Sequence, residues 1–255
     1  MGFLVNSFIE FPQPTFNLNE LLFYYKFNAL DSGLINQAAA VGSTDEIANS
    51  LGTVTGASLV TGLIGNAYDF DGTNDKVEMA NSLATWNPFH NGILDWTINF
   101  WLKFNVADSG ALQVIIGNNG FSASIGFTIS MDDRDASRDN RLRVHIGNGS
   151  SAIDWDSAVG DQFFANDTNW HMYTIQYTVL TQTLNAYRDA ANNINGDFTF
   201  TESTSNAAQL LNIGTKADDD DFDLNADMDE ACGFSRLLTT DELTELYNSG
   251  SGLEL

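Results

Sequence analysis

The chain has 255 residues, 43% of them hydrophobic, and its 10 basic against 34 acidic residues give a net charge of −24. That length can bury the core of one sizeable domain, while that charge excludes nucleic-acid binding and binding to an anionic membrane surface, both of which need basic groups. Cys232 has no second cysteine to close a disulfide, and no apolar run reaches the roughly 18 residues of a membrane span, so membrane insertion is excluded too.

Residues 1–20 hold Phe3, Leu4, Val5, Phe8, Ile9, Phe11 and Phe16, interrupted by Pro12 and Pro14. Such a segment is too apolar for a free tail and too broken for a helix. It lacks the basic start and small-residue cleavage site of a signal peptide, and Asn6 stands where myristoylation wants Ser or Thr. The expectation is an arm over 1–20 that packs on its own domain or docks on a neighbouring subunit, ahead of one domain over 21–255.

Short β-patterned runs then recur between polar or glycine-containing breaks: "LLFYYKF" (21–27), "NAYDF" (66–70), "KVEM" (76–79), "WTINFWLKF" (96–104), "LQVIIG" (112–117), "IGFTISM" (125–131), "RLRVHIG" (141–147), "WHMYTIQYTV" (170–179), "QTLNAYR" (182–188) and "DFTFT" (197–201). Many strands without intervening helices predict a two-sheet sandwich or barrel. Alternation places Ile98, Phe100, Leu102 and Phe104 on one face, and Tyr173, Ile175, Tyr177 and Val179 on one face of another strand. "LTQT" (180–183) reads as the turn of a hairpin.

Near the C-terminus, "DDDFDLNADMDE" (219–230) has carboxylates or amides in the order of an EF-hand calcium loop. Leu224 stands where that loop needs Gly, and short strands flank the segment instead of helices, so an EF-hand is rejected. A solvated acidic loop over 218–225 and a calcium site at the edge of a sandwich stay open. One helix is well signalled in "TTDELTELYNSG": Thr239 and Glu242 form a capping box, Leu243, Leu246 and Tyr247 an apolar stripe, and Gly250 the stop.

Four separated motifs in order, "GLIGNAYDFDGTNDKVEM" (62–79), "WTINFWLKF", "WHMYTIQYTVLTQTLNAYRDA" (170–190) and the stretch from "LNIGTKADDDD" to "LYNSG" (211–250), resemble the laminin-G-like jelly-roll domains of the concanavalin A-like lectin/glucanase superfamily. The resemblance implies an all-β, two-sheet antiparallel jelly-roll sandwich with one short C-terminal helix. "FDGTND" is similar to the family's tight turn, with Gly72 at a position that a Cβ would strain. Trp170 resembles the Trp that opens a central strand, read here as a core anchor. Family hydrolases carry a Glu-x-Asp-x-Glu strand that turns its carboxylates into one cleft. This chain has no such triplet, and His90, His145 and His171 have no nucleophile elbow around them, so no enzyme is expected. A divergent glycoside-acting enzyme is the lesser alternative.

The resemblance also implies structural calcium where an early segment meets the last strand, with Asn28, Asp31, Asp71, Asn74, Asp75 and Asp229 as candidate ligands. The competing reading for each is a turn residue that bonds its own backbone. Because neighbours on a strand leave opposite faces, only one of Asp229 and Glu230 is expected in such a site. Glycan binding, the family's common role, needs exposed aromatics. Trp86, Phe89 and His90 in "TWNPFHNG" and Trp155 in "IDWDS" lie in loop-like sequence and are the candidates for a sugar platform, the alternative being that each Trp plugs the sandwich. The expected role is a recognition or structural module, a decoration or adhesion protein on a virion surface that joins protein subunits through its arm and binds glycan or cell-surface polysaccharide. A free, calcium-assisted carbohydrate-binding protein is the alternative.

Overall fold

The computed structural model describes residues 16–28, 34–35, 51–79, 83–107, 109–201, 203–218 and 221–255. Its strands are β1 (Leu21–Tyr25), β2 (Leu34–Ile35), β3 (Leu51–Thr55), β4 (Ser58–Thr61), β5 (Asn66–Asp71), β6 (Lys76–Met79), β7 (Trp96–Phe104), β8 (Leu112–Gly117), β9 (Gly126–Asp132), β10 (Arg141–Gly147), β11 (Ala152–Asp156), β12 (His171–Thr178), β13 (Thr183–Arg188), β14 (Ala191–Asp197), β15 (Leu211–Ile213) and β16 (Asn225–Phe234). They form two antiparallel sheets. The first runs β14-β13-β12-β7-β16-β5-β4, with β1 also on β16, and the second runs β11-β10-β9-β8-β15-β6-β3-β2. This is the expected all-β jelly-roll sandwich.

Alternation sets the layers. Ile98, Phe100 and Leu102 of β7 lie opposite Ile175, Tyr173 and His171 of β12, and the apolar members of these rows enter the core between the sheets. Phe127, Ile129 and Met131 of β9 and Leu142, Val144 and Ile146 of β10 meet them from the second sheet. Each large side chain buried this way contributes about 1.5–3 kcal/mol.

A smaller cluster covers the other face of the first sheet, where Trp101, Met172, Cys232 and Phe234 receive Leu243 and Leu246. Those leucines belong to the helix α1 (Thr240–Tyr247), which has the expected capping box and ends on Asn248, a left-handed C-cap, before it reaches Gly250. The Tyr247 ring stacks on Trp101 at 5.8 Å. Trp170 is also on this outer cluster, partly buried, with the Lys103 ammonium 5.9 Å from its ring, so it is not a core anchor.

Residues 1–15 of the arm lie outside the described residues. The part that is described packs on its own domain: the Phe16 ring is 5.9 Å from Phe234, and Arg236 donates to the carbonyl oxygens of Asn19 and Asn17.

Candidate functional site at the open edge of the sandwich

The residues expected to form an exposed sugar platform separate. Trp86 and Phe89 lie in the 3-10 turn Leu83–Phe89, and Trp86, Phe89 and His90 are 0%, 0% and 1% exposed. The turn drives their rings between the sheets. Trp86 meets Phe23 edge-on at 5.8 Å, and Phe89 meets Trp96 at 5.8 Å and Phe127 at 5.2 Å. Burial lowers the pKa of His90, whose Nε2 faces the Ser205 carbonyl oxygen at 3.3 Å. These three side chains are core, and no sugar face can reach them.

Trp155 is different. It lies on β11, an edge strand where sequence patterning suggested a loop, and it is half-buried. Its indole crosses from the second sheet to the first, so closely that a Cβ on Gly196 of β14 would come within 2.8 Å of it. Because β11 and β14 each end their sheets, Trp155 sits where, among the described residues, no further strand closes the sandwich.

Two residues along β11 from Trp155, Ile153 contributes to a cleft of about 220 Å³ between the β10–β11 turn and the segment after β14. Ile146, Ile153 and Phe200 give it apolar walls, and Asn148, Ser151, Thr199 and Thr201 give it amide and hydroxyl groups. The Asn148 Nδ2 donates to the Thr201 carbonyl at 3.3 Å and ties the two lips together. Sequence patterning missed these residues because "DFTFT" reads as a strand, whereas β14 ends at Asp197 and Phe198 and Phe200 follow in irregular backbone.

The described candidate calcium ligands fall at the two ends of β5 rather than at one place. Asp71, Asn74 and Asp75 lie at the β5–β6 turn, where their groups close the turn. Asp71 Oδ1 accepts from Thr73 N–H at 2.8 Å, Asp75 Oδ2 accepts from Asp71 N–H at 2.8 Å, and Asn74 N–H donates to Asp223 at 3.0 Å. Gly72 has the expected positive φ of 84°. Asn28 and Asp229 lie at the other end of β5, about 16 Å away for a strand of this length. There Asn28 Oδ1 accepts from Asn66 N–H at 2.8 Å, and Asp229 Oδ2 accepts from Ile64 N–H at 2.9 Å. Asp31 lies outside the described residues. No group of three or more His, Cys, Asp or Glu side chains suited to a metal ion occurs among the described residues.

Asp229 and Glu230 break the expected alternation. β16 pairs with β5 through Met228 and with β1 from Ala231 onward, and its register against β7 slips by a residue between Asp229 and Cys232. Glu230 is the bulged residue, with φ 49°. The bulge lets both acids share the notch where β5 gives way to β1. Asp229 is 0% and Glu230 3% exposed. Tyr24 Oη donates to Glu230, and Lys26 pairs with Glu254 nearby. Asp229 Oδ1 and Glu230 Oε1 accept no hydrogen bond among the described residues. Burial pushes Asp229 up to about 7 against the N–H groups of Ile64, Leu63 and Glu230 that favour its anion. Burial, with the Asp229 charge adding to it, pushes Glu230 up to about 8 despite the Tyr24 hydrogen bond.

Several other acids pair with arginines or histidines. Arg134 grips Asp132 through Nε at 2.8 Å and Nη2 at 2.7 Å. His145 Nδ1 faces Asp154 at 2.8 Å while its Nε2 faces the Ser122 carbonyl at 2.9 Å. The His145 bond, with Arg143 assisting, lowers Asp154 to about 2 against its partial burial. His171 sits between Asp189 at 2.7 Å and Asp167 at 3.2 Å, and the Asp189 bond raises its pKa.

Residues 49–244 match the family model described as the concanavalin A-like lectin/glucanases superfamily, and the chain belongs to that family, in its laminin-G-like branch. No curated protein matches it in sequence. Among solved structures, the binding domain of Paraclostridial Mosquitocidal Protein 1 superposes with a TM-score of 0.65 at 16% identity, over 91% of this chain and 52% of that one. The binding domain of botulinum neurotoxin DC, in complex with SialylT, gives 0.61 at 14% identity, over 90% and 51%. The same domain in complex with rat synaptotagmin II gives 0.62 at 16%, over 90% and 51%. The chain thus spans about half the length of these structures, and at such identities the likeness shows the fold.

Proposed function

We propose that the protein is a non-catalytic, lectin-like recognition module that binds glycan at the open edge of its sandwich, with Trp155 as the stacking aromatic. The observation that carries this reading is the position of Trp155. Of the four aromatic candidates it alone keeps part of its surface exposed, and it lies two residues along β11 from Ile153, which lines a cleft of hydroxyl, amide and aromatic groups. Such a mixture of apolar surface and few polar groups is what a small-molecule site requires. Structural neighbours named as binding domains, one in complex with SialylT, favour recognition over catalysis. A glycan array tests the reading: wild-type protein is expected to give hits that Trp155→Ala abolishes. Hits unchanged by that substitution would move the site elsewhere.

Calcium at the notch is a second reading, supported by the unpartnered Asp229 Oδ1 and Glu230 Oε1. Those two carboxylates would hold the ion, which would neutralise their buried charge. They supply fewer than the about six to eight oxygens calcium takes, so further ligands must come from elsewhere. EDTA should lower the melting temperature and added calcium restore it, and an unchanged melting curve would remove the ion.

Membership of a virion-surface or other assembly is supported by the apolar sequence of the arm and the net charge of −24. Deleting residues 1–15 should leave a folded domain that no longer joins its assembly, whereas an assembly that forms without them would dismiss the docking role.

A further inference from the structure

We infer that the cleft beside Trp155 is a subsite for a single uncharged sugar ring, a neutral pyranose, and that it discriminates against acidic saccharides. This rests on the glycan-binding reading above and narrows it. Among the described residues no Asp, Glu, Lys or Arg lines the cleft, although the chain carries 10 basic and 34 acidic residues. A sugar carboxylate would find no cation there, and it would approach against a net charge of −24. A buried, unpaired carboxylate is costly.

The lining matches a neutral ring in both its parts. The Phe200 ring is held 5.4 Å from Tyr177 and 5.4 Å from Phe198, so the apolar wall is fixed by its own packing. The C–H face of a pyranose can lie against it and against Ile153. The polar lip is equally fixed. Asn148 Oδ1 accepts from the N–H groups of Ser150 at 3.0 Å and Ser151 at 2.8 Å, and Gly149, with φ 94°, donates its N–H to the Ala123 carbonyl at 2.7 Å. The hydroxyls of Ser151, Thr199 and Thr201 can then exchange hydrogen bonds with those of the ring; Thr199 Oγ1 also donates to Gln182 at 3.1 Å. Such preorganised lips lose little entropy on binding. At about 220 Å³ the cleft is below the roughly 300 Å³ where drug-sized sites begin, which suits one ring and not a chain of them.

Titration calorimetry on the full chain tests this with methyl glycosides as probes: neutral hexopyranosides and their 6-carboxylate counterparts, the methyl glycuronides. A neutral glycoside is expected to bind with a Kd of about millimolar order, and the matching glycuronide at least ten-fold more weakly. Thr199→Val and Thr201→Val, both exposed changes, should each weaken the neutral ligand about five-fold without moving the melting temperature. Equal or tighter binding of the glycuronide overturns the inference. So does neutral binding that Trp155→Ala removes but both threonine variants leave intact, and that result spares the wider glycan reading. No heat from any glycoside together with a blank array overturns both.

Discussion

Trp86 and Trp155 stand in similar sequence, each in a short polar stretch between strands, yet the fold treats them oppositely. The segment around Trp86 enters the space between two sheets, where Phe23 meets Trp86, and Trp96 and Phe127 meet Phe89. The segment around Trp155 is itself an edge strand, and its indole packs on the rim of the core against Gly196 of β14 while staying partly exposed. Polarity of the neighbours does not decide burial. What decides it is how completely a second layer covers the side chain.

The contrast can be broken most severely at the closed end. Trp86→Ala should cost about 3–5 kcal/mol through transfer and cavity terms, and leave glycan recognition by the remaining folded protein unchanged. A shift in melting temperature below about 3 °C would show that Trp86 is not enclosed.

The β16 notch tests the same principle with charge in place of aromatic area. In an unfolded chain carboxylates ionise near pH 4, whereas Asp229 and Glu230 reach about 7 and about 8 in the fold. Between those values the folded state binds more protons than the unfolded state, so stability falls as pH rises through that window. In calcium-free buffer, going from about pH 6 to about pH 8 should cost on the order of 2 kcal/mol at this site. His171, also raised, contributes loss of the same sign. The readout is therefore the difference from Glu230→Gln, whose melting temperature should depend less on pH. Identical slopes in both proteins would show that Glu230 is not buried as a neutral acid.

Trp155→Ala should cost only about 1 kcal/mol, as a half-buried edge residue, while removing binding. A stability loss as large as that of Trp86→Ala would erase the distinction between the two regions. The smallest effect belongs to the β5–β6 turn. Asp71→Asn should cost less than about 1 kcal/mol, the worth of one turn hydrogen bond, with or without EDTA. A metal-dependent loss would show that Asp71 is a ligand after all.

Much of the fold was legible. β6, β7, β8 and β10 have the bounds that alternation gives, because their inward residues are apolar on every second position. β11 and β14 were not legible: "AIDWD" and "ANNINGD" are edge strands whose outward residues are polar, and they read as loops. The site suffered most from this, since both strands frame it. The shared face of Asp229 and Glu230 was hidden for another reason. A bulge is set by the change of partner from β5 to β1, which no local pattern records. Trp155 could be named from sequence, but Phe200, Thr199 and Thr201 needed the observed end of β14.

The most direct test of the open-edge site is an amide-resolved NMR titration of the full chain with a neutral methyl hexopyranoside. Shifts are expected to cluster at residues 147–156 and 194–201, and to vanish in Trp155→Ala. Shifts centred on residues 83–92 or on the β16 notch, or none at saturating sugar, would contradict the placement of recognition at this edge.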